Sequence, residues 1–195
     1  MHVVVVLAHP CDDSFNHAIA ATARDALVAA GHHVDLLDLY ALGFDAAMTL
    51  EERRAYHSDE PICDPLVAEH AGLVGAADAL VFIYPTWWSS HPAILKGWLE
   101  RVMVPGVAFV FDDQQKVRPG LRNVRRLVGI STYGSPRLYV RAINDNGRRT
   151  LTRALRMNTN WRTRTKWLAL YRLDSSTADQ RAAFLRRVEH RMRSL

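Results

Sequence analysis

The feature that most constrains the fold is an apolar segment without a single polar residue, four valines and a leucine at positions 3–7. A strand with one face in water alternates apolar and polar residues, whereas a strand buried on both faces shows no alternation. The same continuous pattern returns at 79–84 and again within 126–132. Three fully buried strands predict a parallel sheet that is covered by helices on both faces.

Helical patterns fill the segments between these strands. After Ser14, a favoured N-cap residue, apolar residues recur with helical spacing until Gly31. Segments 34–39 and 167–173 are predicted as the second and fifth strands of the sheet. Strand and helix therefore alternate along the chain. We predict an α/β fold with a doubly wound five-stranded parallel sheet, in a single domain over residues 1–195.

The remaining segments carry weaker signals. Thr49 followed by Glu52 fits a capping box, which predicts a short helix there. Residues 112–123 are rich in polar side chains and are predicted to form a surface loop. Further helices are predicted at 66–76, from 93 to the stop at Pro105-Gly106, within 138–157, and after 175–177.

Composition sets the broad class of protein. A chain of 195 residues with 49% hydrophobic and 23% charged residues is typical of a globular protein. The apolar run near the N-terminus is too short for a signal peptide or a membrane span. We therefore expect a cytoplasmic protein without stable membrane insertion. Cys11 and Cys63 show no metal-site or redox-motif spacing and are interpreted as free thiols.

The net charge of +5 conceals two halves of opposite sign. Residues 1–115 hold 5 basic and 16 acidic residues, a net charge of −11, and residues 116–195 hold 20 basic and 4 acidic residues, a net charge of +16. A basic half attracts a phosphorylated ligand, an acidic partner or nucleic acid, or simply forms a solvated face. Because no nucleic-acid-binding signature accompanies the charge, we do not expect nucleic acid as a partner.

Three loops follow the buried strands, at 9–15, 85–92 and 132–138. In a doubly wound sheet, ligands bind beyond the carboxyl ends of the strands, where the strand order reverses. These loops are also the segments richest in Ser, Thr, His, Trp and Tyr. We therefore predict a binding site where the three loops meet.

Several common site motifs are absent from the sequence. The first strand is not followed by G-x-G-x-x-G, and the chain contains no G-x-x-x-x-G-K-[ST] phosphate loop. The segment at 129–133 departs from the hydrolase motif G-x-S-x-G at its last residue, so Ser131 is not favoured as a nucleophile. Neither His9 nor His91 lies in a metal-binding pattern, and no metal is expected.

The residue types of the three loops suit a flavin nucleotide. The helix that begins after Ser14 offers free N–H groups and a positive dipole to a phosphate. Trp87 and Trp88 follow the apolar run of the third strand and provide faces for a planar ring. The proline-bounded backbone at 85–89 offers N–H donors to ring heteroatoms.

Four motifs then carry a family resemblance. They are Ala8-His9-Pro10 with Ser14-Phe15-Asn16-His17-Ala18, Tyr84-Pro85-Thr86-Trp87-Trp88, the segment 92–98, and Ser131-Thr132-Tyr133-Gly134. In this order and at these loops they resemble the flavodoxin-like NAD(P)H:quinone oxidoreductases. The resemblance covers most of the chain. It implies a flavodoxin-like sheet of strand order 2-1-3-4-5, a bound flavin with NAD(P)H as co-substrate, a small-molecule electron acceptor, and a homodimer with the active site at the subunit interface.

The resemblance also implies individual roles. The flavin phosphates and ribityl chain would contact His9, Ser14, Phe15 and Asn16. The isoalloxazine would lie along Pro85, Thr86, Trp87, Trp88 and Ser89. The third flavin loop would be Ser131, Thr132, Tyr133 and Gly134. Tyr139 matches a tyrosine that assists hydride transfer, and Arg181 matches a position near the adenine of FAD, which favours FAD over FMN.

The acceptor side departs from the family's mammalian quinone reductases. Those enzymes carry a histidine a few residues after the tyrosine, where this chain has Ile143-Asn144-Asp145-Asn146. The leading hypothesis is an enzyme that transfers hydride from NAD(P)H through flavin to a quinone or similar electrophile. The alternatives are an azo- or nitroreductase and a flavin-binding regulatory subunit of the potassium-efflux type.

Overall fold

The structure, a computed structural model, describes residues 1–159 and 162–195. The strands are β1 (His2–Leu7), β2 (His33–Asp38), β3 (Ala79–Pro85), β4 (Phe109–Phe111), β5 (Val117–Pro119), β6 (Arg126–Thr132) and β7 (Arg164–Leu170). The α-helices are α1 (Phe15–Ala29), α2 (Leu50–Ala55), α3 (Pro65–Ala76), α4 (Ala93–Val102), α5 (Arg137–Ala142), α6 (Asn146–Arg149) and α7 (Ala178–Arg193). A π-helical segment, Thr150–Leu155, and a 3₁₀ turn, Leu173–Ser175, complete the secondary structure of these residues.

The main sheet has five parallel strands in the order β2-β1-β3-β6-β7. The predicted order 2-1-3-4-5 is confirmed, because β6 and β7 are the fourth and fifth strands of this sheet. All seven residues of β3 are buried, as its uninterrupted apolar sequence predicts. The predicted doubly wound α/β class is confirmed as well.

Hydrophobic clusters cover the sheet on both faces. On one face, alternate residues of β1 and β3 pack with Val67 of α3 and with Leu95 and Trp98 of α4. On the other face, the intervening residues of the same strands pack with Ile19 of α1 and Val188 of α7. The two layers hold the carboxyl ends of β1, β3 and β6 rigidly side by side, and those ends carry the predicted site.

Local capping signals explain most helix boundaries. The Ser14 hydroxyl accepts the backbone N–H of His17 and begins α1. The capping box predicted for Thr49 and Glu52 is present at the start of α2. A second box, formed by Thr177 and Gln180, begins α7. Each box satisfies backbone donors that the first helical turn leaves without an acceptor.

Three sequence predictions were wrong in detail. The predicted surface loop at 112–123 contains β5, which pairs antiparallel with β4 in a short hairpin. The single helix predicted within 138–157 is divided into α5, α6 and the π-helical segment, and Asn144 and Asp145 adopt left-handed backbone conformations at the break. The predicted strand at 167–173 begins three residues earlier and ends at Leu170, because β7 is an edge strand with alternating polar residues and Arg172 turns into the left-handed region.

Within the described ranges, none of the helices combines the length and apolar character that crossing a membrane would require.

Candidate functional site

Strand register brings the three predicted loops together. Leu7 at the end of β1 lies beside Ile83 of β3, and Pro85 at the end of β3 lies beside Thr132 of β6. The loops that follow these strands therefore leave the sheet at the same edge. This is the point where the strand order reverses, as predicted.

Four polar residues form the floor of the site: Asn16, Thr86, Ser131 and Thr132. The Asn16 amide donates to Thr132 Oγ1 at 3.2 Å. The Thr86 and Ser131 hydroxyl oxygens lie 2.8 Å apart, and Ser131 donates its proton to the carbonyl of Tyr84 at 3.0 Å. Since Ser131 has one proton, Thr86 is the donor between the two hydroxyls. This site floor links α1, β3 and β6, and it fixes the relative positions of the three loops.

The start of α1 suits an anion. Phe15 and Asn16 occupy its first positions, where backbone N–H groups have no acceptor within the helix. His9 Nδ1 accepts the backbone N–H of Cys11 at 3.1 Å and thereby shapes the loop before the helix. Burial lowers the pKa of His9, which keeps this imidazole neutral and available as an acceptor. The helix dipole adds partial positive charge at the same place.

The loop after β3 forms a tight turn that carries both tryptophans. The backbone N–H of Trp87 donates to Ser90 O at 3.2 Å, and that of Ser90 donates to Trp87 O at 3.0 Å. Trp88 and Ser89, inside this turn, have φ angles of 46° and 62°, which are costly for residues with a β-carbon. Trp88 is 101% exposed and Trp87 is 41% exposed, with the Trp87 ring 5.9 Å from that of His9. Two exposed indoles at a switch point mark a surface for a flat ligand or a partner.

The third loop is anchored by Tyr133. Its ring is buried and stacks on Tyr171 at 4.8 Å. Its hydroxyl donates to the two carboxylate oxygens of Asp145, each at 3.2 Å. Burial raises the pKa of Tyr133, and the nearby Asp145 charge raises it further. Burial also raises the pKa of Asp145, against the opposing effects of the Tyr133 hydrogen bond and of Arg148 and Arg149.

The second and third loops, with α5, enclose a cavity of about 210 Å³, which we call the aromatic cavity. It is lined by Thr86, Trp88, Ser89, Tyr133, Gly134, Ser135, Tyr139, Val140, Ile143 and Asp145. Tyr139 lies on α5 with its side chain 54% exposed. A β-carbon on Gly134 would lie 2.8 Å from Asp174 Oδ2, so a larger residue here would displace the Asp174 side chain. The aromatic cavity offers one flat aromatic wall and hydroxyl groups along its edge.

Most of the predicted residues meet at this edge of the sheet. The site floor joins three of the predicted segments, Ser14 caps the helix beneath the first loop, and His9 lies beside Trp87. Two predicted residues face elsewhere. The Phe15 ring packs against Phe184 of α7 at 6.2 Å. The Arg181 guanidinium donates to the Ser176 carbonyl and hydroxyl, next to its own helix start.

The sequence analysis did not assign roles to Asp145, Tyr171 and His91. Asp145 follows Asn144 in the left-handed region, and an Asn-Asp-Asn-Gly segment is a signal for such a turn. His91 is buried with its ring 5.0 Å from Tyr84, and burial lowers its pKa to about 4. Within the described part of the chain, neither His91 nitrogen has a hydrogen-bond partner.

A possible metal-ligand group lies at the opposite end of the strands. His2, His33 and Asp35 bring one ligand atom each to within 4.8 Å of one another. His2 and Asp35 already form a close ion pair, which accounts for their approach. The group is separated from the site by the full length of β1 and has no connection with it.

Comparison with known proteins identifies the family of the chain. The profile of the Flavodoxin_2 family, described as a flavodoxin-like fold, matches residues 1–194. NAD(P)H dehydrogenase [quinone] 1 of Rattus norvegicus is 34% identical over 153 residues, which cover 70% of this chain and 55% of the rat protein. The ribosyldihydronicotinamide dehydrogenase [quinone] of Homo sapiens is 30% identical over 165 residues, covering 75% of this chain and 70% of that protein.

A solved structure agrees with these relatives. The NAD(P)H:quinone oxidoreductase from Methanothermobacter marburgensis superposes with a TM-score of 0.81 and 25% identity, covering 100% of this chain and 96% of that one. This chain spans about half the length of the NAD(P)H dehydrogenases that it matches in rat and guinea pig. The strand order, the three loops and the match over residues 1–194 lead to one conclusion: the chain belongs to the flavodoxin-like NAD(P)H:quinone oxidoreductase family.

Proposed function

We propose that this chain is a flavin-dependent oxidoreductase that transfers two electrons as hydride from NAD(P)H to a quinone or a similar electrophile. The observation that carries the proposal is the meeting of three loops above the site floor. A phosphate site at the start of α1 lies there beside the exposed indoles of Trp87 and Trp88. The relatives of this chain include proteins whose names specify NAD(P)H and a quinone.

The residues present fit a flavin nucleotide. The first N–H groups of α1 suit its phosphate. Asn16 Oδ1 is a buried acceptor without a partner in the described part of the chain, which suits a donor brought by a ligand. Trp88 and Ser89, which form the left-handed turn, line the aromatic cavity. His9, Ser14, Pro85, Thr86, Ser131, Thr132, Tyr133 and Gly134 complete the proposed binding set.

Each part of the chain then has a task. A bound flavin supplies the atom that accepts and returns the hydride. The start of α1 holds its phosphate, and Trp87 shields one side of the ring from water. Backbone N–H groups at 86–89 stabilise negative charge on the ring edge. Tyr139, on the open side of the aromatic cavity, holds or delivers a proton at its hydroxyl and orients the acceptor.

We propose FAD as the flavin, with FMN as the alternative. The assignment to FAD depends on Arg181, whose guanidinium also binds Ser176. A contact between Arg181 and adenine would use the guanidinium nitrogens that do not bond Ser176, or it would replace the bond to Ser176. The mass of the cofactor that the protein releases on denaturation distinguishes FAD from FMN directly.

We further propose a homodimer with a shared active site. Trp88, Leu138 and Tyr139 are exposed by 101%, 79% and 54%, and all three lie at the mouth of the aromatic cavity or next to it. The β4–β5 hairpin exposes Val117 as well. Large apolar side chains grouped around a site are typical of a surface that a partner covers. Light scattering of the purified protein measures the number of subunits.

Two further assignments accompany the proposal. The chain would act as one domain over residues 1–195, because α7 packs on α1 and the Arg126 guanidinium donates to the carbonyl of Leu195 at 2.9 Å. We propose the cytoplasm as its location, where NAD(P)H is available. Cell fractionation tests this location.

The decisive experiment examines the purified protein for bound flavin and for turnover. A flavin absorption band and oxidation of NADH or NADPH with menadione are the expected results. A colourless protein that stays inactive after FAD and FMN are added would refute the proposal. Activity with an azo dye or a nitro compound in place of menadione would keep the mechanism and change the acceptor.

A regulatory subunit is the second candidate function. The net charge of +16 over residues 116–195 favours docking on an acidic protein surface. Steady turnover with a soluble acceptor distinguishes the enzyme from such a subunit. A flavin-containing protein that lacks turnover and alters a partner's activity would favour the subunit.

A further inference from the structure

Five arginines converge on one cavity next to the site. This basic cavity has a volume of about 390 Å³. Its lining residues are Arg137, Val140, Arg141, Asn144, Asp145, Arg148, Arg149, Thr152, Arg153 and Tyr171. Arg137 and Arg141 lie one turn apart on α5, and the other three arginines come from α6 and the π-helical segment. Asp145 is the single carboxylate among the lining residues, so five positive charges face one negative charge.

These arginines are not used to hold the fold together. Arg148 lies over the ring of Trp167 at 5.9 Å. Among the ion pairs and side-chain hydrogen bonds of the described residues, none involves Arg137, Arg141, Arg149 or Arg153. Five like charges that converge beside the single counter-charge of Asp145 repel one another. An anionic ligand with several oxygens would remove this repulsion, and guanidinium groups bind phosphate in a bidentate manner.

The basic cavity adjoins the aromatic cavity. Val140 and Asp145 line both, so they form the wall between them. On its other side, the basic cavity shares Arg137, Arg148 and Tyr171 with a further cavity of about 490 Å³. Lys166, Arg187 and Arg191 contribute to that cavity. A flat ring in the aromatic cavity would therefore be followed by a positively charged surface long enough for more than one phosphate group.

We propose that the basic cavity binds the phosphate groups of the hydride-donating pyridine dinucleotide, and that its surplus of positive charge makes NADPH the preferred donor. This inference deepens the proposed function, on which its kinetic part rests. The nicotinamide ring enters the aromatic cavity, and the phosphates extend among the five arginines. NADPH carries one phosphate group more than NADH, so it gains most from this surface.

The basic cavity predicts that this chain and some of its relatives prefer different hydride donors. Ribosyldihydronicotinamide, the donor named for the human relative, is a nucleoside without phosphate. A cavity lined by five arginines offers nothing to such a donor and much to a dinucleotide. We therefore expect the preference for a hydride donor to rise with the number of phosphate groups that the donor carries.

Binding of adenosine 2′,5′-bisphosphate tests the site without turnover. This compound has the phosphate of NADPH that NADH lacks. We expect calorimetry to show saturable binding that weakens as salt is raised, weaker binding of 5′-ADP and none of adenosine. Failure of adenosine 2′,5′-bisphosphate to bind the wild-type protein at low salt would overturn the proposal.

A double variant, Arg141→Gln with Arg149→Gln, tests the assigned residues. Both side chains are exposed and line only the basic cavity, so the fold should persist, which thermal unfolding verifies. The affinity for adenosine 2′,5′-bisphosphate should fall by about tenfold or more. The control is Arg186→Gln, which removes one positive charge from an exposed position of α7 that lines none of the cavities described above.

Kinetics complete the test. We expect kcat/KM of the wild-type protein to rise from ribosyldihydronicotinamide to NADH to NADPH, and the loss in the double variant to rise in the same order. Equal losses for all three donors, or an equal loss in Arg186→Gln, would overturn the proposal. A protein that binds adenosine 2′,5′-bisphosphate through Arg141 and Arg149 but lacks turnover with every donor would retain the anion site and refute the proposed oxidoreductase.

Discussion

The site floor and the basic cavity are built in opposite ways. The floor residues Asn16, Ser131 and Thr132 are buried; Asn16 donates to Thr132, and Ser131 is hydrogen-bonded to Thr86 and to the Tyr84 carbonyl. The arginines of the basic cavity are exposed, and four of the five make no side-chain hydrogen bond or ion pair with the described residues. The floor is ordered by the protein itself, whereas the basic cavity needs a ligand to balance its charge. Substitutions at the buried site floor should therefore change the free energy of unfolding. Substitutions among the arginines of the basic cavity should change the affinity for an anionic ligand.

His91→Phe should give the largest effect, on the pH dependence of stability. The folded-state pKa of His91 is lowered from 6.5 to about 4, so between these values the unfolded state binds more protons. The stability contribution of neutral His91 is present above pH 6.5 and is lost as the pH falls toward 4. The loss is about 3 kcal/mol. Urea unfolding from pH 7 to pH 4 should show this loss in the wild type and a smaller loss in His91→Phe.

The control for this prediction is His190→Phe, at an exposed position of α7. Phenylalanine can fill the space of the His91 ring beside Tyr84, so stability at pH 7 should be retained. Protonation of other buried histidines, among them His70, also destabilises the fold in acid. Only the difference between the wild type and His91→Phe is therefore diagnostic. If the free energy of unfolding falls equally with pH in His91→Phe and in the wild type, His91 does not cause the loss. The prediction would then be wrong, and the His91 ring would be accessible to water.

Asn16→Ala should give the second effect. The substitution removes a buried amide and leaves the Thr132 hydroxyl without its donor, which should lower the free energy of unfolding by about 2 kcal/mol. The affinity for flavin should fall too, because Asn16 belongs to the proposed binding set. Denaturant titration and fluorescence titration with flavin measure the two quantities. Asn146→Ala, at an exposed position, should leave both nearly as they are.

Tyr133→Phe tests the connection between the two regions. The substitution removes the hydrogen bond to Asp145 and keeps the ring that stacks on Tyr171. A loss of about 1 kcal/mol in unfolding free energy is expected. A double-mutant cycle with Asp145→Asn measures the coupling energy. Additive effects of the two substitutions would mean that the hydrogen bond between Tyr133 and Asp145 contributes no coupling energy.

The sequence predicted the buried region better than the exposed one. The continuous apolar runs at 3–7 and 79–84 specify buried parallel strands, and strand ends in such a sheet must meet at one edge. The meeting of the three loops follows from that topology, and the family resemblance assigns Asn16, Thr86 and Thr132 to the site. The convergence of Asp145 and the five arginines follows from neither, because they come from a segment whose helices break at a left-handed turn. Their convergence depends on backbone geometry that apolar periodicity does not encode.

Arg181 illustrates the same limit within a regular helix. The resemblance assigns it to the adenine of FAD, whereas the structure shows its guanidinium bonded to the carbonyl and hydroxyl of Ser176. A motif match identifies a position, but not which acceptor a long, flexible side chain will choose. Phe15, which packs on Phe184 while its backbone N–H lies at the start of α1, shows that a matched residue can also contribute through its main chain.

Trp88→Ala should have the smallest effect on the free energy of unfolding. It most directly tests whether exposed residues of the site contribute to binding and not to stability. A side chain that is 101% exposed contributes nothing through burial, so the free energy of unfolding of the isolated chain should change by less than about 0.5 kcal/mol. The φ angle of 46° remains strained with alanine, so this substitution leaves the cost of the turn unchanged. Trp88→Gly would relieve that strain and serves as the comparison. The affinity for flavin and the dimer dissociation constant should both weaken, because an indole in water gains only when a ligand or a second subunit covers it. If Trp88→Ala lowers the free energy of unfolding as much as Asn16→Ala does, Trp88 contributes to the stability of the fold. The contrast between the buried site floor and the exposed residues around it would then fail.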